Sequence, residues 1–251
     1  MTLYAHDFDA GAGPARRAGG HAGHRPRTTP AAQPAAHAAA LATARTSSRP
    51  GLYRRAFKRG FDILFVLATA PVVLPVVLLV ALAVAFDGHN PFYAQRRVGL
   101  GGRVFRMWKI RTMVPDADAT LERHLAADPA LRAEWQHHQK LRNDPRITPL
   151  GRVLRKTSLD ELPQFLNVLT GEMSVVGPRP MMLNQAALYP GASYYALRPG
   201  VTGPWQVSDR NASSFAERAR FDDSYHAALS LGGDLSLLAR TVAVMLRGTG
   251  C

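Results

Sequence analysis

The stretch ILFVLATAPVVLPVVLLVALAVAF, Ile63 to Phe86, runs for twenty-four residues without a charge. As a helix rising about 1.5 Å per residue it would reach about 36 Å, more than the ~30 Å hydrocarbon core of a bilayer. A membrane-resident chain is the expectation. Two features bear on how the segment sits. Basic residues flank both ends, Arg54, Arg55, Lys58 and Arg59 before it and Arg96, Arg97, Arg103, Arg106, Lys109 and Arg111 after it, and such flanks favour the cytoplasmic side. Pro71 and Pro75 lie within the segment, where each removes a backbone donor and bends or breaks a helix. Both ends on one side and a break between them give a re-entrant helix. A kinked ordinary span is the alternative, because prolines are tolerated in membrane helices.

Working outward, residues 1–50 are rich in Ala, Gly, Pro, Arg and His, with few large apolar side chains. Such a segment cannot bury enough surface to offset its ordering entropy, so a disordered tail is expected. It carries no apolar run of the kind a secretory signal needs. Over the whole chain, 31 Lys plus Arg against 18 Asp plus Glu leave a formal charge of +13. That balance points to an anionic partner: nucleic acid, an anionic membrane surface or a phosphorylated substrate. The single cysteine, Cys251, excludes an internal disulfide. The nine histidines are scattered, and no Cys/His metal cluster, P-loop or dinucleotide-binding glycine motif is found.

Beyond the apolar segment, NPFYAQRRVGLGGRVFRMWKIRTM mixes glycine turns with strand-like residues. Under two-residue alternation Lys109 and Arg111 share one face, which could meet an anion. Residues 116–127 read as a helix with Leu121 and Leu125 on one stripe. Asp128-Pro129 then reads as the N-cap and first-turn proline of a second helix through Trp135. RNDPRITPLGRVLRKTS, Arg142 to Ser158, delivers Arg152, Arg155 and Lys156 to an adjacent acidic pair, Asp160 and Glu161. That pair has two readings. Ser158-x-x-Glu161 fits a capping box, with Leu159, Leu162, Phe165, Leu166 and Leu169 following at helical spacing. Alternatively the pair is chemical: basic groups around an ionised aspartate would hold phosphate oxygens, and the carboxylate could attack phosphorus. GPRP, Gly177 to Pro180, fixes a turn that projects Arg179 as a phosphate clamp requires. RPGVTGPWQVSDRN supplies Arg198 in a further Gly/Pro-rich loop. Near the end, Leu235, Leu238, Val242 and Met245 oppose Arg240 and Arg247, which suits either a surface-lying helix or a core helix.

From Lys58 to about Gly248 the sequence resembles the bacterial sugar transferases, monotopic polyprenyl-phosphate phosphoglycosyl transferases. The resemblance rests on KRGFD, QRRVG, MWKIRTM, NDPRITPLGRVLRKTSLDELPQFLNVLTGEMSVVGPRP and YYALRPGVTGPWQVSDRN. It implies that Asp160 and Glu161 are the catalytic dyad. Asp160 attacks the β-phosphate of a UDP-sugar, UMP leaves, and undecaprenyl phosphate takes the hexose 1-phosphate. Magnesium is the implied cofactor, with Asp160 as its protein ligand, and Lys109, Arg111, Arg155, Arg179 and Arg198 are expected to bind substrate phosphate. Pro75 matches the family's break in its re-entrant helix, with Leu74 where serine is usual and Pro71 extra. Ser158 would then cap while the pair reacts. The central run is most similar to members that transfer galactose or glucose 1-phosphate, and the chain resembles the family's minimal catalytic form.

The resulting expectation is a mixed α/β, mainly helical, monotopic membrane protein: a tail over 1–50, a basic lead-in and re-entrant, proline-broken helix over 51–87, and a cytoplasmic catalytic domain over 88–251. It would sit at the bacterial inner membrane, on an anionic surface, in exopolysaccharide, capsule or O-antigen synthesis. No nucleic-acid partner is expected, and a homo-oligomer is left open. Two other readings compete. A membrane-tethered nucleic-acid binder would need a recognition helix or base-stacking aromatics, which are not arranged here. A non-catalytic scaffold of polysaccharide assembly would not need the acidic pair.

Overall fold

The computed structural model describes residues 51–138, 141–208 and 215–246. The tail expected over 1–50, Arg247 and Cys251 lie outside them. A π-helical turn, Tyr53–Phe57, leads into the long helix α1, Lys58–Ala85. Together they are long and apolar enough to cross a membrane. Helix assignment runs unbroken through Pro71 and Pro75. The break expected there is therefore not a helix end. Neither proline can donate to the carbonyl four residues back, which leaves those of Leu67 and Pro71 without their regular donor. Neighbouring turns nevertheless carry the helix past them, and Thr69 adds a hydroxyl bond to the Phe65 carbonyl at 2.8 Å.

Both ends of α1 rest on the domain that follows. Near its start, the buried Asp62 carboxylate accepts from Ser174 Oγ at 2.9 Å and Val175 N at 3.0 Å, with Lys58 Nζ at 3.1 Å. Lys58 also lies 2.8 Å from the buried Asp234. Near its end, Val84 packs on Ile110 and Leu154. Between these anchors Leu64, Leu67, Val72, Leu74, Leu78, Leu79 and Leu82 are exposed, as suits a helix surface facing lipid.

The strand-like residues and glycine turns form a hairpin of β1, Phe92–Val98, and β2, Val104–Ile110, antiparallel in a register from Phe92↔Ile110 to Val98↔Val104. Its turn needs positive φ at Gly101 (66°) and Gly102 (78°), which glycine supplies without steric penalty. Helices α2, Ala117–Ala127, and α3, Pro129–His138, follow as expected, and Asp128 Oδ1 accepts from Ala130 N at 2.8 Å at the start of α3. Helix α4, Pro149–Thr157, is capped by Thr148, whose side chain accepts from Gly151 N at 2.9 Å. A 3-10 turn, Leu159–Glu161, then precedes α5, Gln164–Thr170.

Two short strands, β3, Ser174–Val176, and β4, Gly200–Thr202, pair in parallel, and α6, Arg218–Ala227, and α7, Leu231–Leu246, complete the order. Gly177 and Gly203 are required where these strands end. A Cβ on Gly203 would stand 1.9 Å from the Gly177 carbonyl oxygen. The main core gathers Val66 of α1, Phe105 and Met107 of β2, Val168, Met173, Val175 and Leu237. On α7, Leu235, Val242 and Met245 are exposed while Leu237 is buried and Leu238 packs against the core, so this helix has both a core face and an apolar outward face.

Candidate active site

The acidic pair sits on the 3-10 turn between α4 and α5, and both neighbours fix its position. At Gly151 the first turn of α4 presses against Thr112, whose carbonyl oxygen would lie 2.1 Å from a Cβ there. On the other side, the buried Asn167 of α5 acts as an extra strand partner for β2. Its amide donates to Arg106 O at 2.7 Å and its carbonyl oxygen accepts from Trp108 N at 3.0 Å. The next strand residue, Lys109, continues the inward face of Phe105 and Met107. There it meets the pair: Nζ donates to Glu161 Oε1 at 2.7 Å and stands 3.9 Å from Asp160 Oδ2.

The capping box does not form. Ser158 closes α4 in the left-handed region, φ 57°, with its backbone N–H directed to Arg155 O, and its side chain makes no cap bond to the 3-10 turn. Pro163 then separates that turn from α5, so the apolar spacing that suggested one helix belongs to two short elements.

Asp160 is buried, and burial is the main reason its carboxyl is held above the ordinary aspartate range. The Glu161 charge adds to that rise, and Lys109 and Arg155 oppose it. Burial also pushes Glu161 upward, but Lys109, Arg179 and Arg97 together outweigh it and hold that carboxyl below its usual range. The two carboxyls are thus driven apart, the pattern that separates roles within catalytic pairs.

The expected phosphate binders divide. Lys109, Arg155 and Arg179 converge on the pair, with Arg155 oriented by a 2.9 Å bond from Nε to Thr112 Oγ1. Arg111 does not. The strand ends at Ile110, alternation ends with it, and the Arg111 guanidinium grips Asp87 at 2.6 and 2.8 Å beyond the end of α1. Arg198 instead donates from Nε to Gly171 O at 2.8 Å, bracing the turn after α5. Neither makes a contact with the acidic pair. Conversely, sequence reading passed over Arg97, half of a basic doublet in β1, and Arg218, isolated in α6.

Among the described residues no group of three His, Cys, Asp or Glu side chains could hold a metal by itself. The donor set still fits magnesium, which binds through one or two carboxylates and completes its shell with water and substrate phosphate oxygens. Asp160 is a hard oxygen donor whose own neighbours leave its negative charge undercompensated.

The family model described as bacterial sugar transferase matches residues 53–248. A UDP-galactose-lipid carrier transferase of Erwinia amylovora is 48% identical over 166 residues, 65% of this chain and 35% of that protein. The exopolysaccharide production protein ExoY of Rhizobium meliloti (strain 1021) is 46% identical over 166 residues, covering 65% of this chain and 74% of ExoY. An undecaprenyl-phosphate galactose phosphotransferase of Salmonella typhimurium is 46% identical over 166 residues, again 65% of this chain but 35% of its own length. The chain thus spans about a third of two of these relatives and about three quarters of the other.

Proposed function

Because the chain belongs to the bacterial sugar transferase family, we propose that it transfers a hexose 1-phosphate, galactose or glucose, from a UDP-sugar to undecaprenyl phosphate in exopolysaccharide, capsule or O-antigen synthesis. The observation that carries this reading is a buried Asp160 set beside Lys109 and Arg155, with the carboxyl of its neighbour Glu161 held below its usual range by Lys109 and the arginines. The names of the relatives supply the substrate classes.

In the first step an Asp160 carboxylate oxygen attacks the β-phosphorus of the UDP-sugar. The bond from that phosphorus to the bridging oxygen breaks, and UMP departs with the electron pair. The acyl phosphate left on Asp160 carries the sugar. In the second step a phosphate oxygen of the polyprenyl phosphate attacks the same phosphorus and the Asp160 carboxylate is released, so no net charge or proton is left on the enzyme. Burial raises the free energy of the ionised nucleophile, which makes it more reactive once formed, while Lys109 and Arg155 keep ionisation accessible. Glu161 holds Lys109 in place. Magnesium, when bound at Asp160 with substrate oxygens, would neutralise pyrophosphate charge.

The chain would work as a monotopic protein at the inner membrane, its domain on the cytoplasmic face against anionic lipid. Supporting this is the seating of both ends of α1 on the same domain, Asp62 on Ser174 and Val175, Val84 on Ile110 and Leu154. A straight spanning helix would carry those ends to opposite sides of the bilayer. Pro71 and Pro75 would supply the bend of a re-entrant helix.

The test is a single-turnover mixture of enzyme and radiolabelled UDP-sugar without lipid. UMP should appear in an amount limited to the enzyme present, and mass spectrometry should find a hexose-phosphate adduct, labile to hydroxylamine, on the peptide containing Asp160. UMP release that strictly requires both substrates would overturn the covalent route.

A further inference from the structure

On the Glu161 side of the pair the structure brings together three arginines from separate parts of the sequence. The end of β1 runs beside the Gly177–Met181 turn, joined by a 3.0 Å bond from Val98 N to Met181 O. The Tyr194 hydroxyl closes the same seam, donating to Val98 O at 2.6 Å and accepting from Met181 N at 3.0 Å. Arg97 and Arg179 are carried in on the two sides of this seam. Arg218 of α6 joins them, donating from Nη2 to Arg179 O at 2.8 Å. The Arg179 and Arg218 guanidinium groups lie 5.5 and 5.1 Å from the Trp205 ring centroid, and Arg218 also lies 5.0 Å from that of Phe215.

Ion pairing among the described residues does not explain this gathering. Among the described residues none of the three guanidinium groups has a carboxylate within 4.0 Å. Arg97 is only 9% exposed and Arg218 only 7%. Arg97 donates from Nη2 to Gln95 Oε1 at 2.5 Å, but its buried Nε has no partner. The carboxylate with most influence on Arg218, Asp222, is taken up by the Tyr189 hydroxyl at 2.6 Å. Glu161 is taken up by Lys109. Burial, and then the Arg179 charge, bring Arg97 down to about 10 and lower Arg218 as well. Buried like charges with an unpaired donor are unfavourable unless an anion enters to satisfy them. Guanidinium forks match a phosphate in shape and charge.

We propose that Arg97, Arg179 and Arg218, the last two over the Trp205 ring and Arg97 beside Arg179, form an anion site that takes a phosphate monoester, separate from the contacts that Lys109 and Arg155 make at Asp160. The proposal rests on the transfer reaction above, because that reaction supplies two such esters: the phosphate of UMP as it forms, and the phosphate of the lipid acceptor. Arg97 and Arg179 act on Glu161, the residue next to the nucleophile, so either ester held there would have its phosphate on the Glu161 side of the bond that breaks or forms.

The test uses the full chain in lipid nanodiscs, titrated separately with UMP and with a short-chain polyprenyl phosphate. Arg97→Lys and Arg218→Lys retain the charge and lose the fork. In folded variants, affinity for at least one ligand should fall about tenfold or more, the order expected for losing a charge-assisted hydrogen bond. A fall for UMP alone assigns the site to the nucleotide phosphate, a fall for the lipid alone to the acceptor, and a fall for both to successive use. Affinities within about twofold of wild type for both ligands would overturn the site. A second measurement avoids the arginines: in a Trp108→Phe, Trp135→Phe chain Trp205 is the only tryptophan, and its emission should respond to one of the two ligands. No response to either at saturation would also overturn the proposal. The transfer reading fails separately, by absence of UMP release from the wild-type enzyme.

Discussion

Lys109 Nζ lies 2.7 Å from Glu161 Oε1 but 3.9 Å from Asp160 Oδ2. The lysine therefore makes its short bond to the residue beside the nucleophile. It still acts on Asp160 through its field, as the largest influence opposing burial. Glu161 and Lys109 together place a positive charge where a phosphate must arrive, without neutralising the attacking oxygen by a direct bond.

Lys109→Gln should move the acidic limb of the kcat/KM profile to higher pH. Asp160 attacks only when ionised, its carboxyl already titrates above the ordinary range, and removing Lys109 takes away the principal charge opposing that rise. Activity then disappears at a higher pH on acidification. A pH–rate series on both proteins checks this, and an unmoved acidic limb would show that Asp160 ionisation does not control the step.

Asp160→Asn should abolish the UMP burst without lowering the melting temperature at pH 7.5. A carboxyl whose folded pKa is raised contributes its stability below the unfolded pKa and loses it as pH rises through the folded one. At pH 7.5 the ionised Asp160 is therefore a net burden, which Asn removes. Any gain in melting temperature should vanish on acidification towards pH 4. A melting temperature several degrees below wild type would return the residue to a structural role.

Asp62→Ala should destabilise strongly, by about 3–5 kcal/mol, because it strips a buried, hydrogen-bonded carboxylate from Lys58, Ser174 and Val175. Arg111→Gln should be mild, since its partner Asp87 is exposed to solvent. Denaturant titration in detergent would rank the two variants. The opposite order would refute the account of how α1 is anchored.

Single cysteines replacing Leu52 and His89, in a Cys251→Ser background, mark the two ends of α1. Neither should react with an impermeant maleimide added outside intact cells, and both should react after lysis. Labelling of His89→Cys alone from outside would establish a spanning helix.

Turnover should fall to background in excess EDTA and return when magnesium is added beyond the chelator. Full activity in EDTA would remove the metal from the mechanism.

Features written in local sequence were legible in advance. The charge-free run gave α1, strand-like residues among glycine turns gave the strand character of β1 and β2, and Asp128-Pro129 gave the start of α3. Asp160, Glu161, Lys109, Arg155 and Arg179 stand in short motifs of the sequence, and the fold brings these five together. Failures arose where local rules stop. Alternation assigned Arg111 to the Lys109 face, but the strand ends one residue earlier. A serine three residues before a glutamate looked like a cap, but the backbone at Ser158 turns left-handed. Arg97, Asn167 and Arg218 take their roles from contacts made across the fold, and no spacing in the sequence joins them.

Ser158 is the only non-glycine residue in the left-handed region among the described residues. Such a conformation costs about 1–2 kcal/mol for most side chains and is prohibitive for β-branched ones, while Gly, Asn and Asp tolerate it. Position 158 should therefore be narrow in evolutionary drift and in a saturation mutagenesis library, with Val, Ile and Thr depleted and Gly or Asn admitted. Two residues from the nucleophile, that intolerance would resemble the signature of a third reacting group. Its origin is the handedness of L-amino acids at the bend that swings Asp160 into place, so a depletion score at 158 measures backbone geometry rather than chemistry.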